Sequence, residues 1–258
     1  MLKPSLEEVK ALAKQYNTIP VFYEFSADNQ TPLNIYAALS KDSRNSFILE
    51  SVSNGVQWDR YSFVGVSPKE EICITGNTAE IRTGDKIETK EVEQPIAFLK
   101  ERMAAYRSPV LEGAPNFTGG LIGYFGYDTV RYMEKKLTHV PEDDIHMPDC
   151  HLFLYEELLA YDHLTSNGIV ILNLHTDGDL GAQYAAAQWR AEELADIVRH
   201  YNPQPQIRQH HGESVVRSNL TKEQYSQMVR DAKEYIRNGD IFQIVLSQRF
   251  EISNPPDS

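Results

Sequence analysis

Three polar side chains near the C-terminus have the spacing of one strand face: Gln243, Ser247 and Arg249, with Val245 among them. In I-F-Q-I-V-L-S-Q-R-F-E-I (241–252) the alternate positions Phe242, Ile244, Leu246 and Phe250 are apolar. A donor-rich face on an otherwise apolar strand is what the floor of a ligand pocket requires. Gln243 can donate and accept hydrogen bonds there, but an amide cannot take up a proton.

Other groups with chemical potential are less well spaced. His139, His146 and His151 lie near Asp143, Asp144, Asp149 and Cys150, yet the intervals match no zinc or calcium pattern. Gly119, Gly120, Gly123 and Gly126 punctuate G-G-L-I-G-Y-F-G-Y. No Gly-Lys-Ser/Thr follows and the spacing is not that of a dinucleotide turn, so close backbone packing inside a sheet accounts for them better. His210-His211 falls in an aperiodic polar stretch and reads as solvated. The chain has no G-x-S-x-G, C-x-x-C or H-E-x-x-H. No catalytic acid, base or metal ligand is assigned.

The elements that must position these residues are legible in outline. Ser5 with Glu8 forms a capping box ahead of Val9, Leu12, Ala13 and Tyr16 at helical spacing. P-V-F-Y-E-F (20–25) reads as a strand, and Thr31-Pro32 opens a short helix. Short β runs separated by turn residues fill 46–92 and suggest one antiparallel meander. Pro95 starts a helix with Ile96, Leu99, Met103 and Tyr106 on one face. Two long β runs, C-H-L-F-L-Y-E-E-L-L-A-Y-D-H and G-I-V-I-L-N-L-H, joined by Thr165-Ser166-Asn167-Gly168, predict a hairpin. A helix is expected over about 179–201. Thr221 with Gln224 caps another, which Gly239 stops, and 241–250 is expected as a strand. The fold class is therefore α+β, with largely antiparallel sheets and packed helices. The expected domains are 1–201 and 219–258, joined by a linker over 202–218.

Composition narrows the function classes. Apolar residues at 41% and charged residues at 24% suit a folded globular chain. A net charge of -12, with no segregated basic stripe, argues against nucleic acid. No apolar run approaches bilayer-spanning length, so no membrane is expected. M-L-K-P-S-L-E-E-V-K has no apolar signal region, and two cysteines build no disulfide framework; a cytoplasmic location is expected.

Three blocks carry a resemblance. F-I-L-E-S (47–51) followed by D-R-Y-S-F-V-G (59–65) resembles the N-terminal signature of the large subunits of anthranilate synthase, a chorismate-utilising family. F-T-G-G-L-I-G-Y-F-G-Y-D (117–128) resembles that family's next shared block, and G-D-I-F-Q-I-V-L-S-Q-R-F (239–250) the opening of its chorismate-binding domain. The resemblance spans nearly the whole chain, which would cover only about the first half of such a subunit, with 219–258 a truncated start of the chorismate-binding domain. It implies amination of chorismate with ammonia from a glutamine amidotransferase subunit (component II), then loss of pyruvate to give anthranilate for tryptophan biosynthesis. Magnesium is the implied cofactor of the complete enzyme; its glutamate ligands and the catalytic histidine belong to the other half, so none is expected bound here and the chain alone is expected inactive. In related water-adding enzymes the position of Gln243 is a lysine that can act as a base, so an amide favours the ammonia-using branch.

The resemblance also implies feedback inhibition by tryptophan and places the sensing residues at Glu50, Ser51, Arg60, Tyr61 and Ser62. Their chemistry suits an amino acid: Glu50 for the ammonium, Ser51 for either head group, Arg60 for the carboxylate. Alternation puts Glu50 and Ser51 on opposite faces, and Ser51 is the expected direct contact. Two alternatives stand beside this reading. One is a fragment of the aminodeoxychorismate synthase large subunit, of the folate pathway. The other is a non-catalytic amino-acid-binding module.

Overall fold

In the computed structural model, which describes residues 1–50, 60–134, 136–138, 140, 142–203 and 214–254, strands numbered in chain order divide between two five-stranded sheets and a separate ribbon. The first sheet contains β1 (Thr18–Ser26), β2 (Ser46–Leu49), β3 (Tyr61–Val66), β9 (Glu157–Asp162) and β10 (Asn167–His175), ordered β1-β10-β9-β3-β2. The second contains β4 (Glu70–Thr75), β5 (Thr78–Thr83), β6 (Lys86–Glu91), β7 (Gly120–Phe125) and β8 (Cys150–Tyr155), ordered β6-β5-β4-β8-β7. Every pairing is antiparallel. Both sheets belong to one compact unit, Met1–Pro203; Gln204–Ser258 forms a second.

Two sequence expectations are corrected here. The single meander over 46–92 is shared between sheets: β2 and β3 join the first, β4 to β6 the second. The break follows β3 at Ser67, whose φ of 52° turns the chain and whose amide donates to Ser43 Oγ. The long run 150–163 is likewise two strands. Its side chains facing between the sheets are Phe153 and Tyr155 in β8 but Leu158 and Ala160 in β9. An unbroken strand keeps one parity; the shift at Glu156 is what lets the chain cross from one sheet to the other.

The layers follow from these faces. Phe22, Phe47, Tyr61, Phe63, Leu158, Ala160, Ile169 and Ile171 of the first sheet pack against Ile122, Phe153 and Tyr155 of the second. On the outer face of the first sheet, Val21, Val64, Val170 and Leu172 meet the helices α1 (Leu6–Leu12), α2 (Pro32–Leu39) and α4 (Leu180–His200). Ala187, Ala191 and Ala195 bring α4 close to that sheet. The second sheet's outer face, with Ile72, Ile74, Ile81 and Leu152, is covered by α3 (Pro95–Ala104) through Leu99 and Phe98.

Local chemistry explains the helix ends. Ser5 and Glu8 cap each other's amides, Thr31 accepts from the Asn34 amide, and Asp179 accepts from the amides of Gly181 and Ala182. The β9–β10 hairpin forms where expected, although Asn167 and Gly168 open β10 and the turn is 163–166, with Ser166 at φ 55°. Gly123 in β7 is required by crowding: a Cβ there would lie 2.0 Å from the His151 carbonyl oxygen. That is the close backbone packing read from the glycine-punctuated sequence.

The second unit contains α5 (Lys222–Asn238) and a two-stranded ribbon of β11 (Val215–Ser218) with β12 (Phe250–Ser253). Thr221 and Gln224 form the expected capping box, and Gly239 closes α5 at φ 81°. The expected strand over 241–250 is not formed: 241–249 carries no strand structure. A strand is defined by a ladder, and among the described residues of this segment only 250–253 is paired as a strand, with Val215–Ser218. Within the stretch expected as a linker, Val215–Ser218 is strand, and 204–213 lies outside the described residues.

Candidate functional site

The described residues among those singled out for amino-acid recognition lie around one end of the β2–β3 pair. β2 ends at Leu49, opposite Phe63 of β3. Glu50 follows immediately and is exposed, while Ser51 lies outside the described residues. Arg60 directly precedes β3, so its side chain is placed by the ladder that pairs Tyr61 with Asp162.

That ladder gives Arg60 an internal partner. Its Nε and Nη2 donate to the two Asp162 carboxylate oxygens at 2.9 and 2.6 Å, a bidentate fork. Asp162 also accepts from the Leu164 amide at 3.0 Å and the Thr165 hydroxyl at 2.9 Å. Burial pushes the Asp162 carboxyl up, but the Arg60, Leu164 and Thr165 hydrogen bonds outweigh it and hold it below the usual carboxylate range. The Asp162 hydrogen bond also raises Arg60 above its ordinary value. The Asp162 side chain is 3% exposed and the Arg60 side chain 45%, so Arg60 is anchored at one edge while its side chain still reaches solvent.

The aromatic residues are arranged beside this pair. Arg60 Cζ lies 4.9 Å from the centre of the Tyr61 ring, within cation–π range. Tyr61 is half-buried, and burial raises its phenol. Its ring is 6.2 Å from that of Phe63, which meets Phe117 edge-on at 5.5 Å. Ser62 belongs to the opposite face of β3: it is buried, with Oγ 2.8 Å from His163 Nε2. Arg60 and Tyr61 are thus brought together, and Ser62 supports the β9–β10 turn from behind. A cation, an exposed carboxylate and an aromatic layer at one sheet end can hold a zwitterion with an apolar ring; they form no proton-transfer machinery.

Sequence reasoning missed Asp162 and His163. A signal existed in D-H-L-T-S-N-G (162–168), where an aspartate opening a turn is expected to hydrogen-bond the backbone two residues on, as Asp162 does to Leu164. Nothing local could reveal that it also anchors Arg60.

In the second unit, alternation does not place Gln243, Ser247 and Arg249 on a common strand face, because 241–249 is not a strand. Gln243 and Ser247 are exposed. Arg249 donates its amide to Asn219 Oδ1 at 2.8 Å and its Nε to Glu251 Oε1 at 3.1 Å.

Several of the described acidic and histidine residues between 139 and 151 have structural partners. His151 Nε2 lies 2.7 Å from Glu71 Oε1, and Asp149 Oδ2 accepts from the Gly76 amide at 2.6 Å and the Tyr132 hydroxyl at 2.5 Å. His139 lies outside the described residues. Among the described residues no group of three or more His, Cys, Asp or Glu could hold a metal ion. They therefore do not fit the magnesium that the resemblance implies. No described helix is long and apolar enough to cross a membrane.

Comparison with known proteins gives the chain's family. The family described as chorismate binding enzyme matches residues 44–258. Anthranilate synthase component 1 of Acetivibrio thermocellus is 38% identical over 96% of the chain and 51% of its own length. The component 1 of Pseudomonas aeruginosa is 36% identical over 95% of the chain and 51% of its own length. The crystal structure of anthranilate synthase component I from Streptococcus pneumoniae TIGR4 aligns with a TM-score of 0.55 at 28% identity, over 86% of the chain and 47% of that structure. The chain spans about half the length of the curated relatives it matches.

Proposed function

The chain belongs to the chorismate-binding enzyme family, and on that premise we propose that it is the N-terminal portion of an anthranilate synthase component 1. The observation that carries this reading is identity of 38% and 36% to two such proteins, each over at least 95% of this chain. These relatives favour the anthranilate reading over the aminodeoxychorismate alternative. The reaction of the complete enzyme would replace the chorismate hydroxyl with an amino group and then eliminate pyruvate, with ammonia supplied by a glutamine amidotransferase subunit.

Within that reaction the second unit would contribute substrate contacts and the first unit control. Gln243, Ser247 and Arg249 would donate hydrogen bonds to chorismate. The amide of Gln243, unable to take a proton, suits a site that does not activate water. No step is assigned to magnesium, whose ligands the resemblance places in the other half of the complete enzyme. In the first unit Glu50, Ser51, Arg60 and Tyr61 would line one wall of a tryptophan feedback site. Glu50 would attract the ammonium, Ser51 would hydrogen-bond a head group, and Arg60, held in place by Asp162, would face the carboxylate. Ser62 would support this wall from the opposite face.

The test uses the fluorescence of anthranilate. With chorismate, magnesium and ammonium at alkaline pH, the 258-residue chain alone is expected to give none, since binding groups without transition-state groups do not accelerate chemistry. The same chain joined to the second half of the Pseudomonas aeruginosa relative is expected to produce it. A joined, folded protein that converts chorismate to an isochorismate or aminodeoxychorismate and never to anthranilate would overturn the reading.

A further inference from the structure

One cavity of the first unit, where the chain crosses between the sheets at Glu156, is lined by two residues whose hydroxyls are buried without a partner among the described residues. Thr18, the first residue of β1, is 4% exposed, and its Oγ1 is buried without a hydrogen-bond partner among the described residues. Ser108, beyond α3, has a buried Oγ in the same state. Both line a cavity of about 60 Å³, together with Tyr106, Thr118, Glu156 and Asn173.

Neither hydroxyl can readily escape to solvent, because the backbone fixes both. The amides of Asn17 and Thr18 donate to the Arg107 carbonyl at 3.1 and 3.2 Å, and the Arg107 amide donates to Asn17 Oδ1 at 2.6 Å. The segment preceding Ser108 is thereby tied to the start of β1. Buried polar atoms in proteins nearly always have a partner, and an orphaned pair facing one space calls for an occupant.

We propose that this cavity is a hydration site, holding a small cluster of ordered waters that bridges the Thr18 and Ser108 hydroxyls. Size and wall chemistry select water. A water needs roughly 10–15 Å³ of such space and two to four polar partners, so a few fit. The Thr118 carbonyl supplies a further acceptor: it receives one bond from Asn173 Nδ2 at 2.7 Å and retains a second lone pair, whereas the Glu156 carbonyl is filled by the Asn173 amide at 3.1 Å and Nδ2 at 2.9 Å. A cation is disfavoured because the Glu156 carboxylate is already committed: its Oε1 lies 2.8 Å from Lys69 Nζ and 2.9 Å from His175 Nε2. The waters would link the start of β1, the segment after α3 and the segment that leads into β7 at Thr118, which are not contiguous in sequence.

The sign of one substitution separates a wet site from a dry one. Thr18→Val keeps shape and removes the hydroxyl. If water is bound, the thermal midpoint of the 258-residue chain falls by roughly 2–4 °C, because the waters lose a partner. Ser108→Ala also lowers it, and the double variant loses less than the sum, since both act on one network. An unchanged or raised midpoint for Thr18→Val would overturn the proposal, because removing a hydroxyl that has no partner is neutral or favourable. Strict additivity of the two losses would overturn the shared cluster.

Discussion

The two units of the chain solve the burial problem to very different degrees. In Met1–Pro203 three apolar clusters close around two sheets, and side chains such as Ile19, Ile72, Leu158 and Ile171 are fully or almost fully buried. In Gln204–Ser258 the one fully buried apolar side chain among the described residues is Ala232, while Phe242, Val245, Phe250 and Ile252 are each more than half exposed. Helix α5 is nonetheless as well capped as any in the first unit. Capping is a local property and core formation is not, so an element can be well specified by its own residues without enough apolar surface around it to bury its face.

Substitutions should register this difference in order of size. Gly123→Ala is expected to be the most damaging, because the new Cβ would meet the His151 backbone between β7 and β8. A loss of about 4 kcal/mol or more, or outright failure to fold, is expected by urea unfolding. A soluble variant with an unchanged midpoint would mean that the two strands part easily and that the first unit is looser than its packing implies.

Asp162→Asn should cost less, about 1.5–3 kcal/mol, the worth of a hydrogen bond to a charged group. Its signature is in pH. The folded-state carboxyl is held below its unfolded value, so its contribution is complete above the ordinary aspartate range near pH 4 and disappears as pH falls through the folded value. Wild type and variant should therefore differ at pH 7 and converge in acid. A gap that persists undiminished at pH 2 would show that the Arg60–Asp162 pair is not its source. Phe242→Ser, in the second unit, should change stability by no more than about 0.5 kcal/mol, as exposed positions do. A larger loss would reveal burial that the first unit was thought to monopolise.

What the sequence disclosed follows the same division between local and non-local. Helix ends at Ser5, Thr31, Thr221 and Gly239 were readable because each is decided within about four residues. The β9–β10 hairpin was readable from Thr165-Ser166-Asn167-Gly168, although its turn lies two residues earlier, at 163–166. The division of 150–163 at Glu156 was not, since both halves are apolar and only the change of inward parity marks the crossing. The strand expected at 241–250 failed for a related reason: alternation says which faces a strand would have, and only a ladder makes one. At the candidate site, Arg60 and Tyr61 were named from residue type and block, but the partner of Arg60, Asp162, 102 residues away in sequence, could be found only by the fold.

The most direct test of the proposed division of labour compares one residue from each unit in a subunit completed with the second half of a relative. Ser51→Ala, in the first unit, should relieve tryptophan inhibition by tenfold or more, about 1.4 kcal/mol of lost ligand binding, and leave uninhibited turnover nearly unchanged. Gln243→Ala, in the second, should lower turnover and leave the tryptophan concentration for half-inhibition where it was. If Ser51→Ala instead abolished catalysis while normal tryptophan sensitivity persisted in the residual activity, the first unit would not be the regulatory one, and the account would be wrong.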